Sequence, residues 1–416
     1  LAVLAGLAAS ALGCATLAGG GPALVLRPVD VRDPSFSAVL GRFAERTLTP
    51  EAIDPSAMLA GALREIAATE SNLVWADGIF GHRLSLGERH ASVSNTVRDL
   101  AALGALLDAV TEWIAEASGA AEPRRLELTA AALRGAVRTA DRWATVLAGE
   151  ARARFLDYQR GSLAGVGCRV GSRDGALRVL SVVPGAPAER AGLRPGDRFV
   201  AVDGESVEDH TVADLTGRLR GPEGTRVLLR VARKGHREPL EVAITRQRFT
   251  SPTVSSRMLD PAFGYLRIEH IAKNSGVLAR RLVGGLLDGS DTRGLVLDLR
   301  GNSGGSILAA SAIADLFLRE GVLIETKGRG GLPVPELRNR VDATDGAGQE
   351  HTSTPLVILV DRKTASSAEL LAAVLARHDR ALILGQRTFG KAVVQKTYDF
   401  GAGGTLTLKV TVARSY

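Results

Sequence analysis

Ser366 and Lys391 are the residues of this chain whose types and surroundings best suit covalent chemistry. A serine hydroxyl is a weak nucleophile until a neighbouring base takes its proton. A neutral lysine amine can serve as that base, whereas arginine stays charged in proteins. The chain holds 7 lysines against 45 arginines, so a lysine set between Phe389-Gly390 and Ala392-Val393-Val394 is a marked choice. Free lysine has a pKa near 10.4. Work near neutral pH therefore requires a depression of roughly 3 pH units, or about 4 kcal/mol, from apolar burial. Gln395, four residues on, offers a neutral hydrogen bond that holds the amine without restoring its charge. Ser366-Ser367-Ala368-Glu369 opens a helical pattern. A helix N-terminus there presents the Ser367 N–H and the helix dipole to a developing oxyanion. The Gly304-Gly305 turn offers a second donor, because backbone without Cβ approaches closely.

Each of these residues also has a plainer role. Ser366-x-x-Glu369 is a capping box, and the capping and nucleophilic roles are compatible. Lys391 alone is a solvated charge, and Gln395 alone carries no signal. Ser303, in Gly301-Asn302-Ser303-Gly304-Gly305, fits the letters of a G-x-S-x-G elbow, with Asp361 and His378 as candidate triad partners. No HGGG-like loop precedes it, and His378 falls in a helical pattern among charges, which favours an oxyanion use for the glycine turn. His82 and His90 lack a ligand-spaced partner. Asp298 has no paired carboxylate nearby and is expected to pair with Arg300 or Arg293. No metal and no cofactor is implied.

The elements that must position these groups follow from periodicity. Residues 1–14 hold an apolar, small-residue run, and 15–34 read as a Gly/Pro linker. Residues 35–160 are Ala- and Leu-rich and form a helical N-terminal region. Met58, Leu59, Ala62, Leu63 and Ile66 share a face behind an Asp54-Pro55 start signal. Helical patterns also cover 97–117 and 126–147, while 70–95 has no clear pattern. Over 161–247 short β-branched runs alternate with turns such as Pro184-Gly185, Arg194-Pro195-Gly196-Asp197 and Asp203-Gly204. Strands and helices then alternate from Phe263: strands at 264–268, 294–299, 356–360 and 381–384, helices at 275–287, 306–318 and 367–378. This pattern builds an α/β layer. The strand at 381–384, ahead of Thr388-Phe389-Gly390-Lys391, is expected to be buried.

Gly165-Val166-Gly167-Cys168, Ala186-Pro187-Ala188-Glu189-Arg190-Ala191-Gly192-Leu193 and Arg194-Pro195-Gly196-Asp197 together resemble a PDZ domain. A glycine loop of this kind presents consecutive backbone N–H groups to a terminal carboxylate, and the adjoining strand edge accepts an extended peptide. Val166, Gly167 and Cys168 would form that pocket, with Cys168 as a wall rather than a reactive thiol.

Three runs complete the picture: Gly294-Leu295-Val296-Leu297-Asp298-Leu299-Arg300-Gly301-Asn302-Ser303-Gly304-Gly305, Thr364-Ala365-Ser366-Ser367-Ala368-Glu369 and Thr388-Phe389-Gly390-Lys391 with Gln395. They resemble the carboxyl-terminal processing (tail-specific) serine proteases, family S41. The resemblance implies a multidomain α+β chain: a helical N-terminal region, a β-rich PDZ domain, and a crotonase/ClpP-like α/β catalytic core over 248–416. It implies a Ser366–Lys391 dyad, with Gln395 orienting the lysine and oxyanion donors at Ser367 and at Gly304 or Gly305. Arg377 stands where some members carry an Asp, so no Asp role is implied. The Ser367-Ala368 order differs from the usual motif and makes Ser367 a fallback nucleophile. Family members carry further strands beyond the strand-like run 406–412, so the catalytic region reads as truncated near Tyr416. A missing strand there would leave an open sheet edge.

The net charge of +7 comes with scattered arginines and 4% aromatics, which disfavours a nucleic-acid surface and fits a general preference for arginine. Leu1 to Leu12 is too short to span a bilayer and reads as the core of an export signal. Ala11-Leu12-Gly13-Cys14 resembles a lipobox, with lipid on Cys14; an ordinary secretory signal is the alternative. If Cys14 is acylated, Cys168 has no disulfide partner. The expected location is the bacterial cell envelope, and the expected partners are polypeptides with free, apolar, unstructured C-termini. A non-catalytic peptide-binding scaffold and a Ser303 hydrolase are the competing functions.

Overall fold

The computed structural model describes residues 35–78, 81–250, 253–260, 262–287, 292–335, 337–338, 340–343 and 353–416. Cys14 and the export signal lie outside them. The chain divides into two compact units. The first holds residues up to Ala153, Thr326–Asn339 and Val393–Tyr416, and the second holds Arg154–Glu325 and Arg340–Ala392.

In the first unit, helices Phe36–Arg46, Pro55–Thr69, Leu100–Ser118 and Glu122–Ala140 pack together. Asp54 starts the second of these as expected, its Oδ1 accepting from Ser56 N at 2.9 Å and Ala57 N at 3.2 Å. Met58, Leu59, Ala62, Leu63 and Ile66 are fully buried. Gly61 and Gly135 let two helices touch: a Cβ on Gly135 would sit 2.2 Å from the Gly61 carbonyl oxygen. The helix expected to run to 147 ends at Ala140. Asp141 redirects the chain, its Oδ1 accepting from Trp143 N and its Oδ2 from Thr411 N, each at 2.9 Å. Residues Thr145–Ala148 then form a strand on Leu406–Ser415. The unassigned stretch 70–95 contains a three-stranded antiparallel meander, Leu73–Gly78, Gly81–Leu86 and Arg89–Val93. The open edge expected at the last strand is not found. Leu406–Ser415 pairs with Val393–Phe400 on one side and with Thr145–Ala148 and Thr326–Lys327 on the other.

The second unit contains two sheets that matter for function. Strands Cys168–Arg173, Ala176–Val182, Arg198–Val202, Arg226–Ala232 and Leu240–Thr245 form an antiparallel sheet with Cys168–Arg173 at its edge. Helix Val212–Leu219 packs on it, closed by a capping box between Thr211 and Asp214. Val179, Phe199, Val202, Leu215, Leu229 and Val231 form this core. The predicted turns hold: Asp203 and Gly204 both take positive φ, 49° and 84°. Asp197 anchors its own turn by a two-oxygen contact with Arg233 at 2.7 Å each.

The α/β layer has strand order Val254–Asp260, Phe263–Ile268, Gly294–Asp298, Leu356–Val360, Ala381–Gly385. The last four are parallel, and the first is an antiparallel edge that the sequence pattern did not reveal. Leu266, Ile268, Leu297, Ile358, Ile313 and Leu375 are fully buried between the sheet and helices Ser275–Leu287, Ile307–Ala314 and Ser367–Arg377. The helix expected over 306–318 stops at Ala314; Leu316, Phe317 and Leu318 stay buried without being helical, which extended the apolar pattern past its end. The strand read as buried before Thr388 is instead the sheet edge, with Leu382 60% and Leu384 47% exposed.

Candidate active site

Ser366 occupies a strained position. Its φ of 57° and ψ of −126° lie where residues with a side chain rarely go, and it immediately precedes helix Ser367–Arg377. Such strain is of order 1–3 kcal/mol and persists only where the surroundings hold it. Several contacts do. Ala365 N donates to the Asn302 carbonyl at 2.9 Å, and Thr364 Oγ1 donates to the Leu299 carbonyl at 2.9 Å. Ser366 N donates to Glu369 Oε2 at 2.7 Å, one half of the capping box read from the sequence. A strand–turn–helix elbow, weighed for Ser303 only as the competing reading, is formed at Ser366 by strand Leu356–Val360 and helix Ser367–Arg377.

The same Glu369 carboxylate reaches Lys391. Lys391 N donates to Oε2 at 2.9 Å and Gly390 N to Oε1 at 2.6 Å. The Ser366 and Lys391 backbone nitrogens thus share one acceptor oxygen, 25 residues apart in sequence. Phe389 N donates to the Thr364 carbonyl at 3.0 Å and fixes the start of the lysine segment. Burial alone would raise the Glu369 pKa. Hydrogen bonds from Thr388 and from the Gly390, Lys391 and Ser366 amides outweigh it and hold the carboxyl below its ordinary value. This bridging role was not read from the sequence, where Glu369 appeared only as a cap.

The glycine turn lies against the elbow. A Cβ on Gly304, whose φ is +94°, would sit 2.7 Å from the Ala365 carbonyl oxygen and 2.9 Å from both Ser366 Cβ and Ser367 N. Gly304 N, expected as an oxyanion donor, instead donates to Asn302 Oδ1 at 2.9 Å. Buried Asn302 also donates through Nδ2 to the Ile268 carbonyl at 3.0 Å, tying the turn to the sheet. Gly305 pairs as a parallel bridge with Ile271, and a Cβ there would strike the Ile271 carbonyl oxygen at 2.0 Å. Ser367, the fallback nucleophile, is fully buried, whereas Ser366 is half-buried.

Gln395 lies in the other compact unit, on strand Val393–Phe400, where its Nε2 donates to the Trp143 carbonyl at 2.6 Å. Ser303 Oγ lies 3.0 Å from Tyr158 Oη. Its candidate partners are engaged elsewhere. Asp361 Oδ1 accepts from the Gly301, Lys363 and Thr364 amides, and His378 Nε2 lies 3.2 Å from the Val322 carbonyl. Asp298 is fully buried and pairs with Arg300, as expected, and with Arg267 rather than Arg293. Burial opposes its charge, but Arg300, Tyr265 and Arg267 together hold its carboxyl far below the usual range.

In the edge strand's leading loop, Gly167 has a φ of +83°, and a Cβ there would meet Ala186 Cβ at 2.2 Å. The Val166 and Gly167 carbonyls accept from Ala188 N at 2.7 Å and Val183 N at 2.8 Å. Burial pushes the Cys168 thiol up to about 12, which leaves it protonated and inert near neutral pH. Among the described residues no helix is long and apolar enough to cross a membrane.

The candidate site thus joins a strained serine at a helix start to the backbone of Lys391 through one carboxylate. Residues 262–416 match peptidase family S41, and residues 178–233 match the PDZ domain family. The chain is 36% identical over 269 residues to the chloroplastic carboxyl-terminal-processing peptidase 2 of Arabidopsis thaliana, covering 61% of this chain and 50% of that one. It is 31% identical over 293 residues to a carboxy-terminal processing protease of Bacillus subtilis, covering 69% and 60%. A solved photosystem II D1 C-terminal processing protease is 31% identical, with 70% of this chain and 77% of that one covered and a TM-score of 0.42. The chain carries a peptidase family S41 core and a PDZ domain, and is similar to carboxyl-terminal processing proteases. It spans 50% and 60% of the lengths of these two curated relatives.

Proposed function

We propose that the chain is a serine endopeptidase that takes hold of free, apolar, unstructured C-termini and cuts the bound polypeptide through a Ser366–Lys391 dyad. The observation that carries this reading is the Glu369 carboxylate, which joins a strained Ser366 to the Lys391 segment through one oxygen. Ser366 Oγ attacks the scissile carbonyl carbon as its proton passes to neutral Lys391 Nζ. The lysine then protonates the departing amine as the C–N bond breaks. In the second half, Lys391 takes a proton from water as the water oxygen adds to the acyl carbon, and it returns that proton to Ser366 Oγ as the C–Oγ bond breaks. The Ser367 and Gly305 N–H groups are the preferred oxyanion donors, since Gly304 N is engaged with Asn302. The substrate C-terminus is received by backbone at Val166, Gly167 and Cys168, and its chain adds to the edge strand Cys168–Arg173. Export to the bacterial envelope, with lipid on Cys14 as the anchor, rests on the leader-like segment 1–14.

The test is cleavage of a labelled, denatured protein by the purified full chain. Wild type is expected to cut, with a rate that rises with pH as the lysine loses its proton, while Ser366→Ala and Lys391→Ala are inactive. Activity retained in either variant rejects the dyad. A serine-directed fluorophosphonate followed by peptide mapping separates the alternatives: label at Ser303 indicates the hydrolase. Absence of both label and turnover in wild type leaves only a peptide-binding scaffold.

A further inference from the structure

Tyr158, on helix Gly149–Arg160 ahead of the PDZ domain, is used by nothing described so far. Its Oη donates to the Gly304 carbonyl oxygen at 3.1 Å and lies 3.0 Å from Ser303 Oγ. Its ring stacks on His270 with centroids 4.4 Å apart and planes at 27°. His270 is buried, and burial lowers its pKa and favours the neutral ring against Tyr158. The next residue, Ile271, donates its N–H to the same Gly304 oxygen at 3.0 Å, and its carbonyl accepts from Ser306 N at 2.7 Å.

The Gly304 oxygen therefore accepts two hydrogen bonds, one from sheet-linked backbone and one from the Tyr158 hydroxyl. A carbonyl oxygen has two lone pairs, so both are used. A trans peptide is planar, with its C=O and N–H pointing in opposite directions. Fixing the Gly304 carbonyl consequently fixes the direction of the Gly305 N–H, which belongs to the same peptide unit. Glycines on both sides of that unit, at φ +94° and +146°, would otherwise leave it free to rotate. Ser367 N lies within van der Waals reach of Gly304, so the plane being held is the one beside the second oxyanion donor.

We infer that Tyr158 is a positioning residue for acyl transfer: its hydroxyl locks the Gly304–Gly305 peptide so that the Gly305 N–H faces the carbonyl oxygen of the substrate as it becomes an oxyanion. This inference rests on the Ser366 reading of the site. It assigns Tyr158 no contact with substrate and no proton transfer.

The test is Tyr158→Phe in the full chain, which keeps the ring on His270 and deletes the donor. Direct loss of an oxyanion donor lowers kcat by roughly 10²–10³-fold, and loosening one through its neighbour is expected to lower it roughly tenfold, with KM within about twofold of wild type. A peptide aldehyde, whose adduct carries the oxyanion, should weaken in parallel with kcat. Binding of a C-terminal peptide should not change. Placing 4-aminophenylalanine at position 158 restores a donor and should recover most of the rate. If Tyr158→Phe loses the wild-type melting transition, 4-fluorophenylalanine, similar in size and unable to donate, takes its place. Wild-type kcat in the folded donor-less variant, or a rise in KM alone, overturns the inference. So does an equal kcat loss in Ser303→Ala, which would move the effect to the other hydroxyl. Ser366→Ala run alongside keeps the two readings apart. If it is active, the dyad is rejected; if it is dead while the donor-less variant is normal, only the role of Tyr158 is lost.

Discussion

Glu369→Gln changes the shape of the site least and its hydrogen bonding most. The carboxylate accepts three backbone N–H groups, Ser366 and Lys391 on Oε2 and Gly390 on Oε1, at 2.7, 2.9 and 2.6 Å. A glutamine amide has one acceptor oxygen and one donor nitrogen. With its oxygen towards Ser366 and Lys391, its nitrogen faces the Gly390 N–H, and in the opposite orientation two amides are opposed. The better orientation forfeits one charge-assisted bond, about 1.5–3 kcal/mol, and turns the other two into weaker neutral bonds. The expected local loss is about 2–4 kcal/mol. It matches or exceeds the strain of roughly 1–3 kcal/mol that the surroundings of Ser366 must hold.

The elbow should therefore relax and the Lys391 segment should detach, with kcat on a labelled denatured substrate falling roughly 10²-fold at about 1.4 kcal/mol per decade. Amide exchange at Gly390 and Lys391 should quicken in parallel. Acid acts on the same contact in wild type. Because the folded Glu369 pKa lies below its unfolded value, its stabilising share is complete above about pH 4.3 and is lost as pH falls through the folded value. Protection of Gly390 and Lys391, measured against the unstructured exchange rate at each pH, should thus fall as pH drops through the depressed Glu369 value in wild type and show no such step in Glu369→Gln. A Glu369→Gln enzyme with wild-type kcat and wild-type protection at Lys391 would refute the view that this carboxylate assembles the dyad.

Other perturbations have equally direct readouts. Gly304→Ala would place a methyl 2.9 Å from Ser366 Cβ at a φ of +94°, so turnover should be abolished while peptide binding at the PDZ domain persists, measured by fluorescence anisotropy. Gly167→Ala drives a Cβ to 2.2 Å from Ala186 Cβ and should raise KM for tail-bearing substrates with little loss of kcat on short internal peptides. Cys168, its thiol pushed up to about 12, should resist iodoacetamide at pH 8 in the folded chain and react once denatured, followed by mass spectrometry. Asp298→Asn removes the buried acceptor of Arg267 and Arg300, which keep access to solvent, and should lower stability by about 1–3 kcal/mol, read as a fall in Tm. In wild type the stabilisation from Asp298 should persist above about pH 3.9 and disappear only as pH drops through its depressed folded value.

Much of the architecture was legible because the relevant signals are local. Helix Ser275–Leu287 and strand Leu356–Val360 fall where periodicity puts them, and the turns at Arg194–Asp197 and Asp203-Gly204 flank strand Arg198–Val202. What escaped was pairing that only the tertiary fold decides. Val254–Asp260 has burial at Val254 and exposed Met258 and Leu259, so no alternation marks it as a strand, and it exists because Phe263–Ile268 pairs with it. The 73–93 meander likewise has an exposed Val74 and glycines at its turn, which blur the period of two. Leu382 and Leu384 were misread as buried because apolarity reports strand propensity as well as burial, and an edge strand satisfies the first without the second.

The site itself shows why its serine was readable and its geometry was not. Ser-x-x-Glu predicts a cap, and an ordinary cap has β-region dihedrals with the serine oxygen turned towards the helix amides. Here the glutamate keeps its half of the box while Ser366 takes a left-handed φ. Nothing within the four letters selects that outcome. The selection comes from Asn302, which receives Ala365 on its carbonyl and Gly304 on its side chain, and from Gly304, whose missing Cβ leaves room for Ser366. The strained conformation of residue 366 is thus specified some sixty residues upstream, by a turn whose own serine, Ser303, looked like the competing nucleophile. An intact Gly304 with a disrupted Asn302 should therefore be as damaging as the converse. Asn302→Ala is expected to lower kcat by roughly 10²-fold through the elbow without touching Lys391, and an unaltered rate in that variant would show that Ser366 holds its strained backbone by local forces alone.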